Sequence, residues 1–106
     1  SNRRTMNANP KIKITQPPGI KGNENHRLSA TMNRRAMDMI GSKEVVFSFR
    51  KMTIRAPIFL EEKRFSVQSN GLFTFSSNSK EDVERLLGEY ELEKDGDDYL
   101  LQKIEP

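Results

Sequence analysis

The sequence of 106 residues contains no cysteine, no tryptophan and only one histidine. Without cysteine, no disulfide framework and no thiolate metal site can form, and the lone His26 cannot complete a two-histidine site within one chain. No apolar run approaches the length that crosses a bilayer, and no signal-peptide core is present. We therefore expect an intracellular, cytoplasmic protein with no membrane partner, no metal and no cofactor.

Arrangements of side chains that support catalysis are also missing. The acidic pairs Glu61-Glu62 and Asp97-Asp98 are adjacent in the sequence. In a strand or a turn such neighbours point to different faces, so neither pair forms a general acid–base couple. The acidic turn around Gly96 lacks the glutamate that closes a calcium-binding loop. The sequence thus predicts a binding protein and not an enzyme.

Acidic residues are scarce in the first part of the chain, and basic residues are scarce in the last part. Residues 1–30 carry six basic residues and one acidic residue, and residues 31–65 carry eight basic and four acidic. Residues 66–106 reverse this balance, with four basic and ten acidic residues. Such asymmetry is typical of a basic face turned toward an anionic partner. The alternative interpretation is that these charges only keep a small domain soluble.

The first 26 residues are predicted to form a flexible, basic tail. This stretch holds three of the five prolines, and Pro17-Pro18-Gly19 excludes a helix there. Residues 11–15, KIKIT, alternate as a short strand added to the edge of a sheet would. Ser1-Asn2 is typical of residues left by a protease, so we interpret residues 1–5 as an expression scar. The folded domain is expected to span residues 27–106.

A short helix and a hairpin are predicted to follow the tail. Thr31 or Asn33 is suited to cap the helix, and Gly41 is suited to end it. In VVFSFRKMTIRAP, residues 45–57, apolar and polar residues alternate on both sides of Arg50-Lys51. This pattern is typical of two paired strands joined at a basic tip.

Two further hairpins are predicted to flank a second helix. Asn70-Gly71, within RFSVQSNGLFTFSS, is a strong hairpin signal because both residues tolerate positive φ. Asn78 or Ser79 can cap the second helix, and Asp95-Gly96 can turn the last hairpin. The predicted fold is a small single α+β domain in the order α-ββ-ββ-α-ββ. It consists of an antiparallel sheet of hairpins packed against two short helices, with a flexible N-terminal tail.

The apolar spacings also predict the hydrophobic core. Residues with a period of two in the strands, and of three to four in the helices, are expected to face inward. The predicted core consists of Ile40, Val45, Phe47, Phe49, Ile54, Phe65, Val67, Phe73, Phe75, Val83, Leu86 and Leu87. In the last hairpin, Tyr90 and Leu92 are expected to share a face either with Tyr99 and Leu101 or with Leu100 and Ile104.

The order hairpin–helix–hairpin over residues 64–104 resembles the double-wing DNA-binding domains of phage middle-promoter activators. The resemblance is carried by RFSVQSNGLFTFSS, the second helix and YELEKDGDDYLLQKI, and it rests on element order alone. It implies a DNA-binding function for this stretch. The chain differs from that pattern in its additional hairpin and its acidic last hairpin, and no residue role is carried over.

Basic residues that could hold phosphate are concentrated in the first helix and the first two hairpins. Arg34 and Arg35 fall in the first turn of the helix, where N–H groups favour anions, although Arg34 could instead pair with Asp38. Arg50-Lys51 occupies the tip of a β-ribbon, a position from which side chains reach grooves and phosphates. The candidate nucleic-acid-binding residues are Arg34, Arg35, Lys43, Arg50, Lys51, Arg55, Lys63 and Arg64.

Two functions are compatible with this pattern. We expect a small non-catalytic module that binds nucleic acid, in a regulatory role, through a basic hairpin and tail. The alternative is a protein-interaction or structural module, of phage or mobile-element origin, whose basic segment meets an acidic protein. Direct binding to duplex DNA, single strands and RNA discriminates between them.

Overall fold

The structure, a computed structural model, describes residues 9–17, 26–77 and 79–104. Within these residues the chain forms eight strands and two short helices, so the domain is mostly β. In chain order they are β1 (Lys11–Thr15), β2 (Arg27–Met32), α1 (Arg34–Ile40), β3 (Glu44–Ser48), β4 (Thr53–Arg55), β5 (Phe65–Ser66), β6 (Leu72–Ser76), α2 (Lys80–Leu86), β7 (Gly88–Asp95) and β8 (Asp98–Lys103).

The strands form one antiparallel sheet in the order β5-β3-β4-β8-β7-β1-β2-β6. Its two end strands, β5 and β6, also contact each other, so the sheet curls into a nearly closed barrel. We call the gap between β5 and β6 the seam. The sheet is antiparallel, as predicted. It curls, however, and this places the main core in the interior of the barrel, because inward-facing residues of a curled sheet meet one another.

β1 lies inside the sheet rather than at its edge. It pairs with β2 on one side and with β7 on the other, and Ile12 and Ile14 are only 0% and 1% exposed. The prediction of an edge strand within a flexible tail is therefore wrong for residues 11–15. β2 was not predicted at all, and it begins at the point where the folded domain was expected to begin. The remainder of the predicted tail, including the expression scar, lies outside the described residues.

The second predicted hairpin forms its turn but not its ladder. The Gly71 N–H donates to the Gln68 carbonyl at 2.8 Å, so the turn has Ser69-Asn70 at its centre and Gly71 as its last residue, one position before the turn that Asn70-Gly71 predicted. Beyond the turn the strands separate, because β5 pairs with β3 while β6 pairs with β2. Gly71 has φ +88°, and a Cβ there would lie 2.3 Å from the Met32 carbonyl oxygen. Glycine is thus needed for close approach to β2 as well as for the turn.

Both helices begin at the predicted positions, and the first also ends where predicted. Asn33 caps α1 by accepting the Ala36 N–H at 2.9 Å, and Gly41 ends it in the left-handed region at φ +66°. Ser79 caps α2 by accepting the Asp82 N–H at 3.1 Å. The alternative cap at position 78 lies outside the described residues. Neither helix in the described part of the chain is long and apolar enough to cross a membrane.

The predicted core is confirmed, and the barrel adds to it. All twelve predicted residues are buried or pack partly buried against the buried cluster. In the last hairpin, Leu92 pairs with Leu101 and Lys94 with Tyr99. Tyr90 and Leu92 therefore share a face with Tyr99 and Leu101, the first of the two predicted alternatives. The buried hydrophobic residues that were not among the predicted twelve are Ile12, Ile14, Leu28, Ala30, Met32, Ala36, Tyr90, Leu92 and Leu101.

Candidate nucleic-acid interface

A cleft of about 420 Å³ opens beside the seam, where the end of β3 faces β6 and β5 is too short to bridge them. We call it the seam cleft. Side chains from β2, β3, β5 and β6 and from the adjoining turns meet there. The cleft is lined by Arg27, Phe47, Ser48, Phe49, Arg50, Lys63, Phe65, Thr74, Phe75 and Ser76.

The floor of the seam cleft is aromatic. Phe47 and Phe75 are buried, with ring centroids 4.8 Å apart in an edge-to-face arrangement. Phe49 and Phe65 are only partly buried and pack against this core. Phe49 stacks on Phe75 at 6.0 Å with an interplanar angle of 27°. These contacts fix the rings, because offset and edge-to-face aromatic pairs have preferred geometries.

The rim of the seam cleft is cationic. Arg27 begins β2 and donates from Nη2 to Thr74 Oγ1 at 3.3 Å. Lys63 precedes β5, with Nζ 5.6 Å from the centroid of the Phe65 ring. Arg50 reaches the cleft from the hairpin tip. Among the lining residues that the structure describes, none is acidic, so the electrostatic potential at the mouth favours an anion.

The predicted basic hairpin tip is confirmed as a structural element. β3 and β4 pair with Ser48 opposite Thr53, which leaves a four-residue turn. Ser48 Oγ accepts the Lys51 N–H at 3.2 Å, and the Met52 carbonyl accepts the Leu101 N–H at 2.8 Å. The backbone of the tip is therefore held in place, with Lys51 exposed and Arg50 exposed beside it at the mouth of the cleft.

Two of the predicted site residues are held in ion pairs instead. Arg55 forms a fork with the Glu62 carboxylate and also lies 3.1 Å from Asp98 Oδ1. Arg64 lies 3.2 Å from Glu44 Oε1 and donates to a backbone carbonyl at 3.1 Å. A guanidinium already committed to carboxylates has fewer donors left for phosphate.

Glu62 is the organising residue of the loop between β4 and β5. Its Oε1 accepts the N–H groups of Ile58 at 2.8 Å and of Phe59 at 3.0 Å, in addition to the Arg55 guanidinium. The hydrogen bonds from Arg55 and from the backbone of Phe59 lower the pKa of Glu62 to about 2. The loop is thus fixed at its base by a carboxylate that stays charged.

The same loop presents apolar side chains to solvent. Ile58, Phe59 and Leu60 are 54%, 63% and 93% exposed. We call residues 58–60 the apolar loop. Three consecutive large apolar residues held outward by a fixed backbone are typical of a contact surface, because isolated exposed apolar residues are common but contiguous ones are not.

The remaining predicted site residues lie away from the seam cleft. Arg34 and Arg35 are exposed on α1, and no ion pair joins Arg34 to Asp38 within the described residues. Lys43 lines a separate cavity of about 490 Å³, together with Met37 and Val67. The eight predicted residues therefore do not form one patch, and only Arg50 and Lys63 line the cleft, with Lys51 beside them at the tip.

Arg27 is the site residue that sequence reasoning missed. It stood at the boundary of the predicted tail, and its strand was not predicted. The alternation of Leu28, Ala30 and Met32 was the available signal, since it has the period of two that a strand requires. Pairing of β2 with β6 then places Arg27 opposite Ser76, at the cleft.

The asymmetry of charge along the sequence becomes an asymmetry across the barrel. β7 and β8, which carry much of the acidic charge, are the two middle strands of the sheet order. In a nearly closed barrel the middle strands lie across from the seam. The basic cleft and the acidic hairpin are thus on opposite sides.

Fold and site together define a small antiparallel β-barrel domain with a cationic, aromatic cleft beside its seam. The chain matches no protein-family model, no curated protein and no solved structure. The resemblance to double-wing domains does not extend to the pairing of strands, because β5 and β6 do not pair with each other as the two strands of a wing do. Function must therefore be argued from the site.

Proposed function

We propose that this protein is a non-catalytic, regulatory module that binds nucleic acid through the seam cleft and the basic hairpin tip. The observation that carries the proposal is the convergence of Arg27, Arg50 and Lys63 on one cleft with no acidic lining residue among those described. These cations come from three separate stretches of the chain, so only the fold brings them together. The proposal includes an intracellular location and calls for no cofactor and no membrane.

Phosphate is the chemical group that this rim suits best. Binding to phosphates supplies most of the sequence-independent affinity of nucleic-acid-binding proteins, through lysine and arginine side chains and the release of counterions. Arg50 and Lys51 are exposed at a fixed tip, so they can reach phosphates without rearranging the barrel. The proposed binding residues are therefore Arg27, Arg50, Lys51 and Lys63, a narrower set than the sequence predicted.

The double variant Arg50→Ala, Lys51→Ala tests the proposal. We expect weaker binding to labelled oligonucleotides and a flatter dependence of log affinity on log salt concentration. For every phosphate that the variant no longer neutralises, the slope should fall by about 0.9 on duplex DNA and by about 0.7 on a single strand. The melting temperature should hardly change, because exposed charges contribute little to stability. Fluorescence anisotropy at several salt concentrations measures the slope.

Lys94→Ala is the matched control. Lys94 is also an exposed lysine on a hairpin, but its neighbours Glu93 and Asp95 repel phosphate. We expect it to change affinity and slope much less than the double variant does. Equal effects in both variants would mean that charge anywhere on the surface suffices. A wild-type protein that binds no nucleic acid at low salt would contradict the proposal outright.

The apolar loop favours a second candidate function, a protein-interaction module. Here the occupant is an acidic protein that offers an apolar pocket to residues 58–60 and carboxylates to the nearby Lys63. A flexible loop would lose much entropy on binding, whereas this one is already fixed by Glu62 and Arg64.

A synthetic amphipathic helix with one leucine face and one glutamate face is a suitable probe for this candidate. We expect it to bind the wild type and to bind Leu60→Ser more weakly, with Lys94→Ala again as control. If the peptide does not bind while oligonucleotides do, the second candidate is excluded. Isothermal titration calorimetry distinguishes these outcomes.

A further inference from the structure

The aromatic floor of the seam cleft has a geometry that phosphate binding alone does not need. Phe49 and Phe65 are only partly buried, and both line the cleft rather than the closed interior of the barrel. Their orientations are fixed by neighbours, since Phe49 stacks on Phe75 and Phe65 lies 5.9 Å from Phe73, centroid to centroid. The cleft therefore presents partly open ring surfaces in fixed positions.

The position of these rings follows from the incomplete closure of the barrel. β5 has only two residues, so hydrogen bonding to β3 ends at Phe65. On the other side, β6 continues to Ser76 and pairs with β2. A gap is left between the end of β3 and β6, and it is filled by side chains rather than by backbone. Phe49 and Phe65 in that gap are thus partly accessible from outside the barrel.

We infer that the seam cleft takes an unpaired base of a single-stranded nucleic acid, an inference that rests on the proposed function. The base stacks on Phe49 or Phe65 while the flanking phosphates meet Arg50 and Lys63. Stacking on aromatic side chains beside a cationic groove is how sequence-tolerant single-strand binding works, because every base has a π-face. The cleft volume of about 420 Å³ lies in the range of small-ligand sites.

Polar groups around the floor suit the edge of a base. Ser48, Thr74 and Ser76 line the same cleft and carry hydroxyl groups that both donate and accept hydrogen bonds. A base within a duplex has its faces covered by its neighbours and its pairing edge occupied. Duplex DNA can therefore contact the rim but cannot place a base on the floor. The expected signature is a preference for single strands that depends on the rings.

The experiment compares a labelled single-stranded oligonucleotide with its hairpin duplex, using wild type, Phe49→Leu and Phe65→Leu. Leucine keeps apolar bulk in the cleft and removes the π-face. We expect the wild type to prefer the single strand by roughly tenfold or more, and the variants to lose most of that preference, since stacking contributes on this scale. Phe59→Leu is the matched control, because Phe59 is exposed but belongs to the apolar loop.

A second readout reports stacking directly. The fluorescence of 2-aminopurine placed in the single strand is expected to rise on binding to the wild type, because the base leaves the neighbouring bases that quench it, and to rise less with Phe49→Leu. Melting curves establish that each variant is folded, and Phe49→Leu, in the hairpin turn, remains informative if Phe65→Leu unfolds.

The outcomes separate this inference from the proposed function. A ring-dependent preference for the single strand supports both. Equal affinity for single strand and duplex, or a preference that survives Phe49→Leu and Phe65→Leu, overturns the inference and leaves nucleic-acid binding intact. A decrease in affinity of the same size for duplex and single strand in the ring variants also overturns it. Absence of binding to either probe overturns the proposed function as well.

Discussion

Glu62 shows how a single carboxylate can fix a loop that has little core of its own. Its side chain is 13% exposed and binds the Arg55 guanidinium and two backbone N–H groups. In the sequence it stands only as the second half of an acidic pair. Its partner in that pair, Glu61, is exposed, so adjacent identical residues have different roles.

Glu62→Gln is expected to destabilise the protein in a pH-dependent way. The pKa of Glu62 is lowered to about 2 in the folded state, against about 4.3 in an unfolded chain. A lowered folded-state pKa stabilises the fold above the unfolded value, and this contribution is lost as the pH falls from about 5 to 2. The difference in melting temperature between wild type and Glu62→Gln should therefore be large at pH 7 and narrow toward pH 2.

Thermal melting at a series of pH values measures this difference. Glu61→Gln is the matched control, and we expect its melting temperature to follow that of the wild type throughout, because an exposed carboxylate contributes little. A difference for Glu62→Gln that stays constant down to pH 2 would show that the carboxylate acts by shape and not by charge.

At the scale of the element, β1 is the strand whose importance the sequence concealed. Its residues lie among prolines and polar residues, so local composition indicated a tail. Hydrogen bonding to β2 and β7 nevertheless places it inside the sheet. The Asn33 carboxamide, which caps α1, also accepts the Lys11 N–H at 3.1 Å and ties the start of β1 to the helix. β1 thus joins β2 to β7 within the sheet.

Ile14→Ala should therefore destabilise the fold strongly. Ile14 is 1% exposed, and truncating a buried isoleucine to alanine costs about 2–5 kcal/mol, through reduced burial and the cavity left behind. Lys13→Ala in the same strand is the matched control. Lys13 is exposed, so the change should stay within about 0.5 kcal/mol.

Urea unfolding followed by circular dichroism measures both free energies of unfolding. Similar small effects for the two variants would mean that β1 detaches readily and that residues 11–15 are dispensable, as they would be in a flexible tail.

At the scale of the whole molecule, the two sides of the barrel differ in how many backbone hydrogen bonds hold their strands. β1 has paired strands on both sides along most of its length, and β7 pairs with β1 over residues 88–91 and with β8 over residues 90–95. β5 has two residues and one partner, and it stands at the seam. The proposed binding site is on the seam side, where the strands have fewer hydrogen-bonded partners. Local opening is expected where buried side chains and backbone hydrogen bonds are fewest.

Native-state hydrogen exchange should reproduce this order. We expect the hydrogen-bonded amides of β1 and β7 to exchange most slowly, through global unfolding, and those of Phe65–Ser66 to exchange much faster, through local opening of the seam. NMR or mass spectrometry on the full chain follows the exchange. Equal protection at β5 and β7 would show that the seam is closed as firmly as the rest of the barrel.

Elements with local causes could be predicted from the amino-acid sequence. Caps fixed the start of both helices, and Gly41 fixed the end of α1, because a capping side chain or a left-handed residue acts within one turn. Period-two alternation fixed the inward faces of β3 and β4 and the exposed tip between them. The predicted core residues were right for the same reason.

Strand pairing, closure of the sheet and the location of the site follow from long-range contacts within the fold. The chain turns near Asn70-Gly71 as expected, but β5 pairs with β3 and β6 with β2 instead of with each other. Strand pairing depends on residues far apart in the sequence. The same closure brought Arg27 to the cleft and committed Arg55 to Glu62 and Asp98. The positions of basic residues in the sequence do not show which of them line a cleft and which form ion pairs, because this depends on neighbours that the fold brings together.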